Sequence, residues 1–218
     1  MAVAERLDGD FVRRWIVEAA RGIREQRDYL TQLDAAIGDA DHGANMDRGF
    51  EAALAGLSPV DGSPGELLAR VGDTLVLTVG GAAGPLYGSA FRCMGRELAD
   101  ADVFDAEGLL SLLRAGLGEM KRLGAARLGD KTIVDAFEPA TIAFERGLRA
   151  GEELGRAAAR ARAAAEEGML ATVPMQARKG RASYLGPRSV GHQDPGATST
   201  MILFAALERA VTGGDGEP

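Results

Sequence analysis

The sequence has little of what several protein classes require. Its single cysteine, Cys93, excludes an internal disulfide bond and fits the reducing cytoplasm, so we expect a cytoplasmic protein. No apolar run is long enough to span a bilayer, and residues 1–6 lack the basic and then apolar order of a signal peptide, so no membrane association is expected. A formal net charge of −7 argues against a general nucleic-acid surface.

Aromatic residues are also scarce, at 5% of the chain, whereas hydrophobic residues make up 46% and glycine occurs 30 times. Small side chains let helices approach closely, so this composition suits tight helix packing. The 218 residues are enough for one domain with a substantial core, and no repeat or flexible linker marks a boundary. We therefore predict a single domain over residues 1–218.

Apolar residues recur at helical spacing along most of the chain, which predicts an all-α fold. Asp10 and Asp130 are expected to cap two of the helices, and residues 58–64 to form a turn. Residues 74–79 are β-branched enough to pass as a strand, but their spacing favours a helix. The predicted helices cover residues 10–37, 44–57, 66–79, 105–122, 131–148, 152–171 and 201–211.

Three carboxylates lie together in residues 33–49. Asp34, Asp39 and Asp41 fall within eight residues at a helix–loop junction, where Gly38 can end the first helix in a left-handed conformation. Clustered carboxylates suit a hard cation such as Mg²⁺, which leaves coordination positions for phosphate oxygens, and the N–H groups of the next helix suit an anion. A solvated acidic turn in which Asp caps that helix is the alternative.

Two glycine-containing stretches could also serve nucleotide binding. Residues 80–90 form a glycine-rich loop entering a helix, but they match neither glycine fingerprint for nucleotides, so a tight turn between packed helices is favoured for this loop alone. Residues 124–132 superficially resemble a P-loop. That motif fails because Asp130 separates Gly129 from Lys131 and no strand precedes it.

Residues 175–199 run long for a loop, and such loops are usually functional lids or disordered segments. Four cations reverse the local charge of an acidic protein there, which suits a polyphosphate; a mobile surface loop is the alternative. The cations are Arg178, Lys179, Arg181 and Arg188. The two histidines, His42 and His192, lie one in the acidic stretch and one in this loop.

Several motifs in order resemble the nucleotide-binding L subunit family of dihydroxyacetone kinases, of the phosphotransferase-coupled type. They are Gly-Asp-Ala-Asp-His-Gly at 38–43, Gly-Asp-Lys-Thr at 129–132, Gly-Arg-Ala-Ser-Tyr-Leu-Gly at 180–186 and Gly-His-Gln-Asp-Pro-Gly-Ala-Thr-Ser at 191–199. The resemblance covers essentially the whole chain. It implies a barrel of about eight antiparallel helices, with a nucleotide in the loops at one end.

The resemblance also implies roles for individual residues. Asp34, Asp39 and Asp41 would hold two Mg²⁺ ions that bridge to the diphosphate of ADP or ATP. The nucleotide would be contacted by His42, Gly43, Ala44, Asn45, Ala82, Ala83, Gly124, Ile133, Arg181, Asp194, Pro195 and Gly196. Relatives can carry serine at Ala83 and methionine at Ile133, so only the backbone of Ala83 can donate to phosphate here. No catalytic residue is assigned on this subunit.

The implied activity is phosphoryl transfer to an alcohol group, performed by one subunit of a complex. ADP would stay bound as a cofactor, accept phosphate from a phosphocarrier M subunit and pass it to dihydroxyacetone bound on a K subunit. The chain length and the lack of a K-like domain fit this branch, and a homodimer is also open. The alternatives are an ATP-dependent subunit for another small ketose such as erythrulose, and a nucleotide-sensing adaptor without turnover. A hydrolase using Ser183, His192 and Asp194 is weaker, because no nucleophile elbow surrounds Ser183.

Overall fold

The computed structural model describes residues 6–57 and 62–213, and its regular elements within these ranges are helices, apart from an isolated bridge between Leu7 and Phe104. The all-α prediction is therefore confirmed. The predicted turn at residues 58–61 and the start of the chain at residues 1–5 lie outside the described residues. The helices are α1 (Gly9–Glu25), α2 (Arg27–Ile37), α3 (His42–Leu57), α4 (Pro64–Thr78), α5 (Ala83–Leu98), α6 (Ala106–Gly124), α7 (Val134–Arg149), α8 (Leu154–Ala171), a 3₁₀ helix (Arg181–Ser189) and α9 (Pro195–Thr212).

The packing order of the helices closes on itself. Helix α1 packs against α3, each helix from α3 to α8 packs against the next in the chain, and α9 packs back against α1. Helix α2 is separated from α1 only by Gln26 and lies against α3 and α9. Eight helices thus form a cycle of neighbours, close to the predicted number, while the barrel geometry itself stays a prediction.

The core combines a few aromatic side chains with close helix contacts. Trp15 is buried, with its ring centroid 5.6 Å from that of Phe91, and its Nε1 donates to the carbonyl oxygen of Leu203 at 3.1 Å. Helices α4 and α5 approach so closely that a Cβ on Gly88 would lie 2.7 Å from the carbonyl oxygen of Gly72. Small residues therefore compensate for the scarcity of aromatics by bringing backbones together.

Three predicted helix starts were wrong, and at α1 and α9 an aspartate that was not expected to cap the helix does so. Asp8, rather than Asp10, caps α1 by accepting from Phe11 N at 3.0 Å. Helix α7 begins at Val134, and Asp130 instead accepts from Arg127 N at 3.0 Å. Helix α9 begins six residues earlier than predicted, at Pro195.

Residues 74–79 show that spacing outweighs β-branching in this chain. All but Val79 belong to α4, as predicted, and Ser63 with Glu66 forms a capping box at the start of that helix. Within the described ranges, no helix is both long and apolar enough to cross a bilayer.

Candidate functional site

The N-terminal ends of helices α3, α5 and α9 meet at one end of the molecule. His42, the first residue of α3, has its Nε2 3.0 Å from Ser199 Oγ in the second turn of α9. Tyr87 in α5 is fully buried, and its hydroxyl lies 2.9 Å from Ser199 Oγ and 3.1 Å from the carbonyl oxygen of Gly196. These contacts fix three helix starts relative to one another.

The start of α7 lies beside the same group. A Cβ on Gly196 would lie 2.8 Å from Cγ2 of Ile133, the residue that precedes α7. Gly124, at the end of α6, lies against α5, because a Cβ there would be 3.4 Å from Leu86 Cδ2. The structure therefore gathers the predicted nucleotide contacts from α3, α5, α6, α7 and α9 at one end of the fold.

The acidic cluster, defined here as Asp34, Asp39 and Asp41, lies at this end. One carboxylate oxygen from each residue falls within 4.8 Å of the others. Asp34 is buried in the last turn of α2, while the other two are exposed. Oxygen donors converging from a buried and two accessible carboxylates form a donor set that suits Mg²⁺.

Asp34 also organises the loop that carries its partners. Its Oδ2 accepts from the backbone N–H groups of Asp41 and His42, at 2.9 and 3.1 Å. The left-handed residue of this loop is Ala40, with φ 62°, and not Gly38 as predicted. Gly38 is needed for a different reason, since a Cβ there would overlap Oδ1 of Asp34.

The first turn of α3 offers two free donors to this space. Among the described residues, the N–H groups of Gly43 and Ala44 have no acceptor, whereas His42 N–H donates to Asp34 and Asn45 N–H to the carbonyl of Asp41. An anion at this helix end would therefore meet Gly43 and Ala44. The nucleotide contacts predicted for His42, Gly43, Ala44 and Asn45 stay predictions.

Asn45 contributes through its side chain. Its Oδ1 accepts from Arg48 Nη2 at 2.7 Å, and Arg48 also donates to the carbonyl of Thr78 at 3.0 Å, so α3 is tied to the end of α4. The glycine-rich loop passes close by, because a Cβ on Gly80 would lie 2.8 Å from Asn45 Nδ2. Ala82 and Ala83 then start α5 at this same end.

Burial controls the protonation of two side chains in the network. Burial lowers the pKa of His42, although the nearby Asp34 and Asp41 act in the opposite direction. Burial likewise raises the pKa of the Tyr87 hydroxyl, which therefore stays protonated. Sequence reasoning assigned no role to Tyr87 or Ser199, and the signal was that both lie within glycine-containing stretches, residues 80–90 and 191–199.

The lid segment, defined here as residues 172–193 between α8 and α9, reaches the acidic cluster. Arg181 Nη2 lies 3.0 Å from Asp39 Oδ2. Of the four lid cations, only Arg181 forms an ion pair within the described part of the chain. This arrangement supports the prediction that the segment lies over the site.

The hydrolase alternative is not supported by the geometry. Ser183 Oγ donates to the carbonyl of Gly180 at 2.6 Å, and the side chain of His192 is exposed. Asp194 is buried and caps α9, accepting from Ala197 N at 2.7 Å. Burial raises the pKa of Asp194 to about 7.

The Gly-Asp-Lys-Thr motif at 129–132 connects α6 to the lid segment. Asp135 holds its turn by accepting from the N–H groups of Gly129 and Thr132, at 2.5 and 2.7 Å. Lys131 is 1% exposed and points its ammonium toward the lid segment. The sequence singled out the motif but did not predict this contact.

Comparison with known proteins identifies the family of this chain. Residues 36–209 match the sequence model of the DAK2 domain. The chain belongs to the DAK2 domain family. This DAK2 domain is 39% identical over 203 residues to PEP-dependent dihydroxyacetone kinase 1, ADP-binding subunit DhaL, of Listeria innocua, covering 92% of this chain and 96% of that protein. The predicted family is therefore confirmed.

Two longer proteins also resemble the DAK2 domain. It is 38% identical over 188 residues to L-erythrulose 1-kinase of Mycolicibacterium smegmatis, covering 84% of this chain but 32% of that protein. A crystal structure of the dihydroxyacetone kinase from C. freundii in complex with AMP-PNP and Mg²⁺ superimposes with a TM-score of 0.70 at 24% identity. The match covers 96% of this chain and only 36% of that one, and it establishes the fold alone.

Proposed function

We propose that this chain is the ADP-binding subunit of a phosphotransferase-coupled dihydroxyacetone kinase. ADP is held as a cofactor, accepts phosphate from a phosphocarrier M subunit and passes it to dihydroxyacetone on a K subunit. The support is a relative described as an ADP-binding subunit that this chain matches over 96% of its length, together with the site geometry. As a soluble enzyme subunit with one cysteine and net charge −7, the protein would work in the cytoplasm without nucleic acid.

The observation that carries the proposal is the meeting of the acidic cluster with the start of α3. Carboxylate oxygens within 4.8 Å of one another repel unless cations join them. The free N–H groups of Gly43 and Ala44, in contrast, attract an anion. A diphosphate with Mg²⁺ satisfies both demands at once, whereas neither a lone anion nor a lone cation does.

The residues present fit Mg²⁺, and we propose two ions held by Asp34, Asp39 and Asp41. Bound Mg²⁺ would neutralise charge on the phosphate oxygens. The chain itself orients the phosphates through Gly43 and Ala44. The remaining proposed nucleotide contacts are His42, Asn45, Ala82, Ala83, Gly124, Ile133, Arg181, Asp194, Pro195 and Gly196.

Transfer on this subunit depends on positioning and electrostatics. We propose no general base on this chain, so the proton of the acceptor hydroxyl is handled by the partner that holds dihydroxyacetone. The fixed helix starts keep the phosphate oxygens in one orientation, and the lid segment limits the access of water. We propose that His42 contacts the nucleotide rather than carrying phosphate, since its Nε2 already lies 3.0 Å from Ser199 Oγ.

The decisive test removes charge from the two exposed members of the acidic cluster. The double variant Asp39→Asn with Asp41→Asn should fold normally and lose Mg-ADP binding in isothermal titration calorimetry. The matched control is Asp100→Asn with Asp102→Asn, which removes two exposed carboxylates from the α5–α6 connection. Unchanged Mg-ADP affinity in the cluster variant would contradict the proposal.

The cofactor role has its own measurement. Native mass spectrometry of gently purified protein should show ADP with two magnesium ions bound to the chain. Phosphate supplied through the M subunit should then convert this bound ADP to ATP without exchange with labelled ADP in solution. Rapid exchange with free nucleotide would instead favour the ATP-dependent alternative.

A different ketose is the second candidate, favoured by the 38% identity to L-erythrulose 1-kinase. An assay of dihydroxyacetone and erythrulose with the cognate K-type partner separates the two substrates. An adaptor that only senses nucleotide would bind Mg-ADP and transfer phosphate to neither sugar.

A further inference from the structure

Lys131 makes a set of contacts that the proposed nucleotide site does not use. Its ammonium donates to the carbonyl oxygens of Ser189 at 2.7 Å, Thr172 at 3.0 Å and Met175 at 3.2 Å, and also to that of His192. The three N–H bonds of a lysine ammonium thus face four backbone oxygens. A buried charge is tolerated when hydrogen bonds replace its water in this way.

The four carbonyl groups come from both ends of the lid segment. Thr172 and Met175 lie at its beginning, and Ser189 and His192 lie at its end. One ammonium therefore bonds to both ends of the lid segment, and the 3₁₀ helix lies between these ends. A hydrogen bond of 2.8 Å from Gly191 N to the carbonyl of Val173 joins the same two ends.

The backbone of Lys131 is strained, which indicates that its position is required. Its φ is 62°, a left-handed conformation that is unfavourable for a residue with a Cβ. Such conformations persist where the surroundings determine them, and they are frequent at functional sites. Here the backbone on either side is fixed as well. The carbonyl oxygen of Asp130 accepts from Arg178 N at 3.0 Å, and the side chain of Asp135 accepts from Thr132 N.

The lid segment held in this way carries Arg181, which reaches the acidic cluster. Arg181 lies in the 3₁₀ helix, between the two ends that Lys131 joins, and pairs with Asp39 at 3.0 Å. Lys131 itself precedes Ile133, which lies beside Gly196. The ammonium therefore connects the loop before α7 with the segment that covers the cluster.

We propose that Lys131 is a positioning residue that holds the lid segment closed over the acidic cluster and so slows the dissociation of bound nucleotide. The first half of this statement concerns the lid segment alone. The second half rests on the proposed function. The test is designed so that the two halves fail separately.

Hydrogen–deuterium exchange of the nucleotide-free protein tests the first half. Lys131→Met keeps the length of the side chain and removes the ammonium, so amides in residues 172–193 should exchange at least about tenfold faster, while those of α1 and α5 keep their rates. Lys179→Met is the matched control, because Lys179 lies in the same segment and forms no hydrogen bond or ion pair within the described ranges. It should leave lid exchange unchanged. A folded Lys131→Met protein with wild-type lid exchange overturns the proposal.

A measurement on the wild-type protein covers the case in which Lys131→Met does not fold. The chain has three lysines, so ¹⁵N-lysine labelling gives at most three ammonium resonances, which Lys121→Met and Lys179→Met assign. The Lys131 ammonium should exchange with water at least about tenfold more slowly than the other two, because its hydrogens are bonded inside the protein. Equal exchange for all three overturns the proposal.

The second half is tested by the dissociation rate of a fluorescent Mg-ADP analogue in stopped flow. Lys131→Met should release it about tenfold faster with a similar association rate, and Mg-ADP should no longer slow lid exchange. A merely structural role would lower thermal stability without this selective change in dissociation. If the wild type does not bind Mg-ADP, the proposed function fails while the exchange experiments still decide the role of Lys131.

Discussion

Arg181 Nη2 lies 3.0 Å from Asp39 Oδ2, so residues that are 142 positions apart in the chain meet at the mouth of the acidic cluster. Both side chains are accessible, at 66% and 36% exposure. Exposed ion pairs contribute little to stability, because water screens them and ordering two side chains costs entropy. The contact therefore points to a function in the site more than to a role in folding.

The Arg181→Met variant separates these two roles. We expect the free energy of unfolding to change by less than about 1 kcal/mol, because the pair is exposed. Mg-ADP affinity should fall by about tenfold or more, as expected for losing a charged contact to the nucleotide or its metal site. Calorimetric titration and urea unfolding measure the two quantities. Arg188→Met, on the same segment, is the control. An equal loss of Mg-ADP affinity in that variant would show that the effect comes from the net charge of the segment and not from the contact with Asp39.

Gly38→Ala should disable the acidic cluster through a single methyl group. The added Cβ overlaps Oδ1 of Asp34, so that carboxylate must move away from Asp39 and Asp41. We expect Mg-dependent ADP binding to weaken and stability to fall by about 1–3 kcal/mol. Titration calorimetry with and without Mg²⁺ measures the first effect.

Gly118→Ala is the matched control for that substitution. Gly118 lies exposed within α6, and a Cβ there meets nothing within 4 Å. Alanine should stabilise the helix by about 0.5–1 kcal/mol, because it restricts the unfolded chain and favours helix. If Gly38→Ala binds Mg-ADP as the wild type does, under conditions where both variants are folded, Asp34 is not needed in its observed position.

Tyr87→Phe tests the network that holds three helix starts together. The variant removes a buried hydroxyl that contacts Ser199, Thr200 and the carbonyl of Gly196. We expect a loss of about 1–2 kcal/mol in urea unfolding, toward the low end because Ser199 and Thr200 also donate to Gly196. Tyr184→Phe, at a side chain that is 88% exposed, should change stability by less than about 0.5 kcal/mol. Equal stability of Tyr87→Phe and wild type would show that the hydroxyl does not hold the helix starts.

The stability of the metal-free protein should depend on pH through Asp194. Burial raises its pKa from 3.8 to about 7, so between these values the folded state binds a proton that the unfolded state has released. Stability contributed by this group is therefore present below pH 3.8 and falls as pH rises toward 7, with a slope approaching about 1.4 kcal/mol per pH unit. Burial also raises the pKa of Asp135, which acts in the same direction.

Asp194→Asn isolates this contribution, because asparagine keeps a good N-cap for α9 and does not titrate. The difference in unfolding free energy between variant and wild type, measured by urea at several pH values, should grow in favour of the variant up to about pH 7. A constant difference would show that the Asp194 carboxyl titrates normally in the folded protein. Carboxylates paired with arginine, such as Glu18, have a lowered pKa and act equally in both proteins.

Helix positions were predictable where apolar spacing is strong, and boundaries were not. Residues 74–79 were assigned to a helix against their β-branched composition, and α4 contains all but the last of them. The helix cap Asp8 was missed because Asp10 could also serve, and only the backbone decides which one reaches a free N–H. Asp194 was missed because α9 begins six residues before the predicted start.

The acidic cluster was predictable because its members are close in sequence, and a short loop cannot separate them by far. The residues that hold the neighbouring helix starts and the lid segment in place were not predictable from the sequence. Tyr87, Ser199 and Lys131 come from α5, α9 and the loop before α7, and no spacing in the chain relates them.

The sequence by itself determined the helical class, the family through its ordered motifs, and the local grouping of Asp34, Asp39 and Asp41, since each depends on residues within a few turns of one another. Only the tertiary structure decided that the starts of α3, α5, α7 and α9 meet, and that Lys131 bonds the lid segment while Arg181 reaches Asp39. These contacts join distant parts of the chain, so they exist only after the helices have packed.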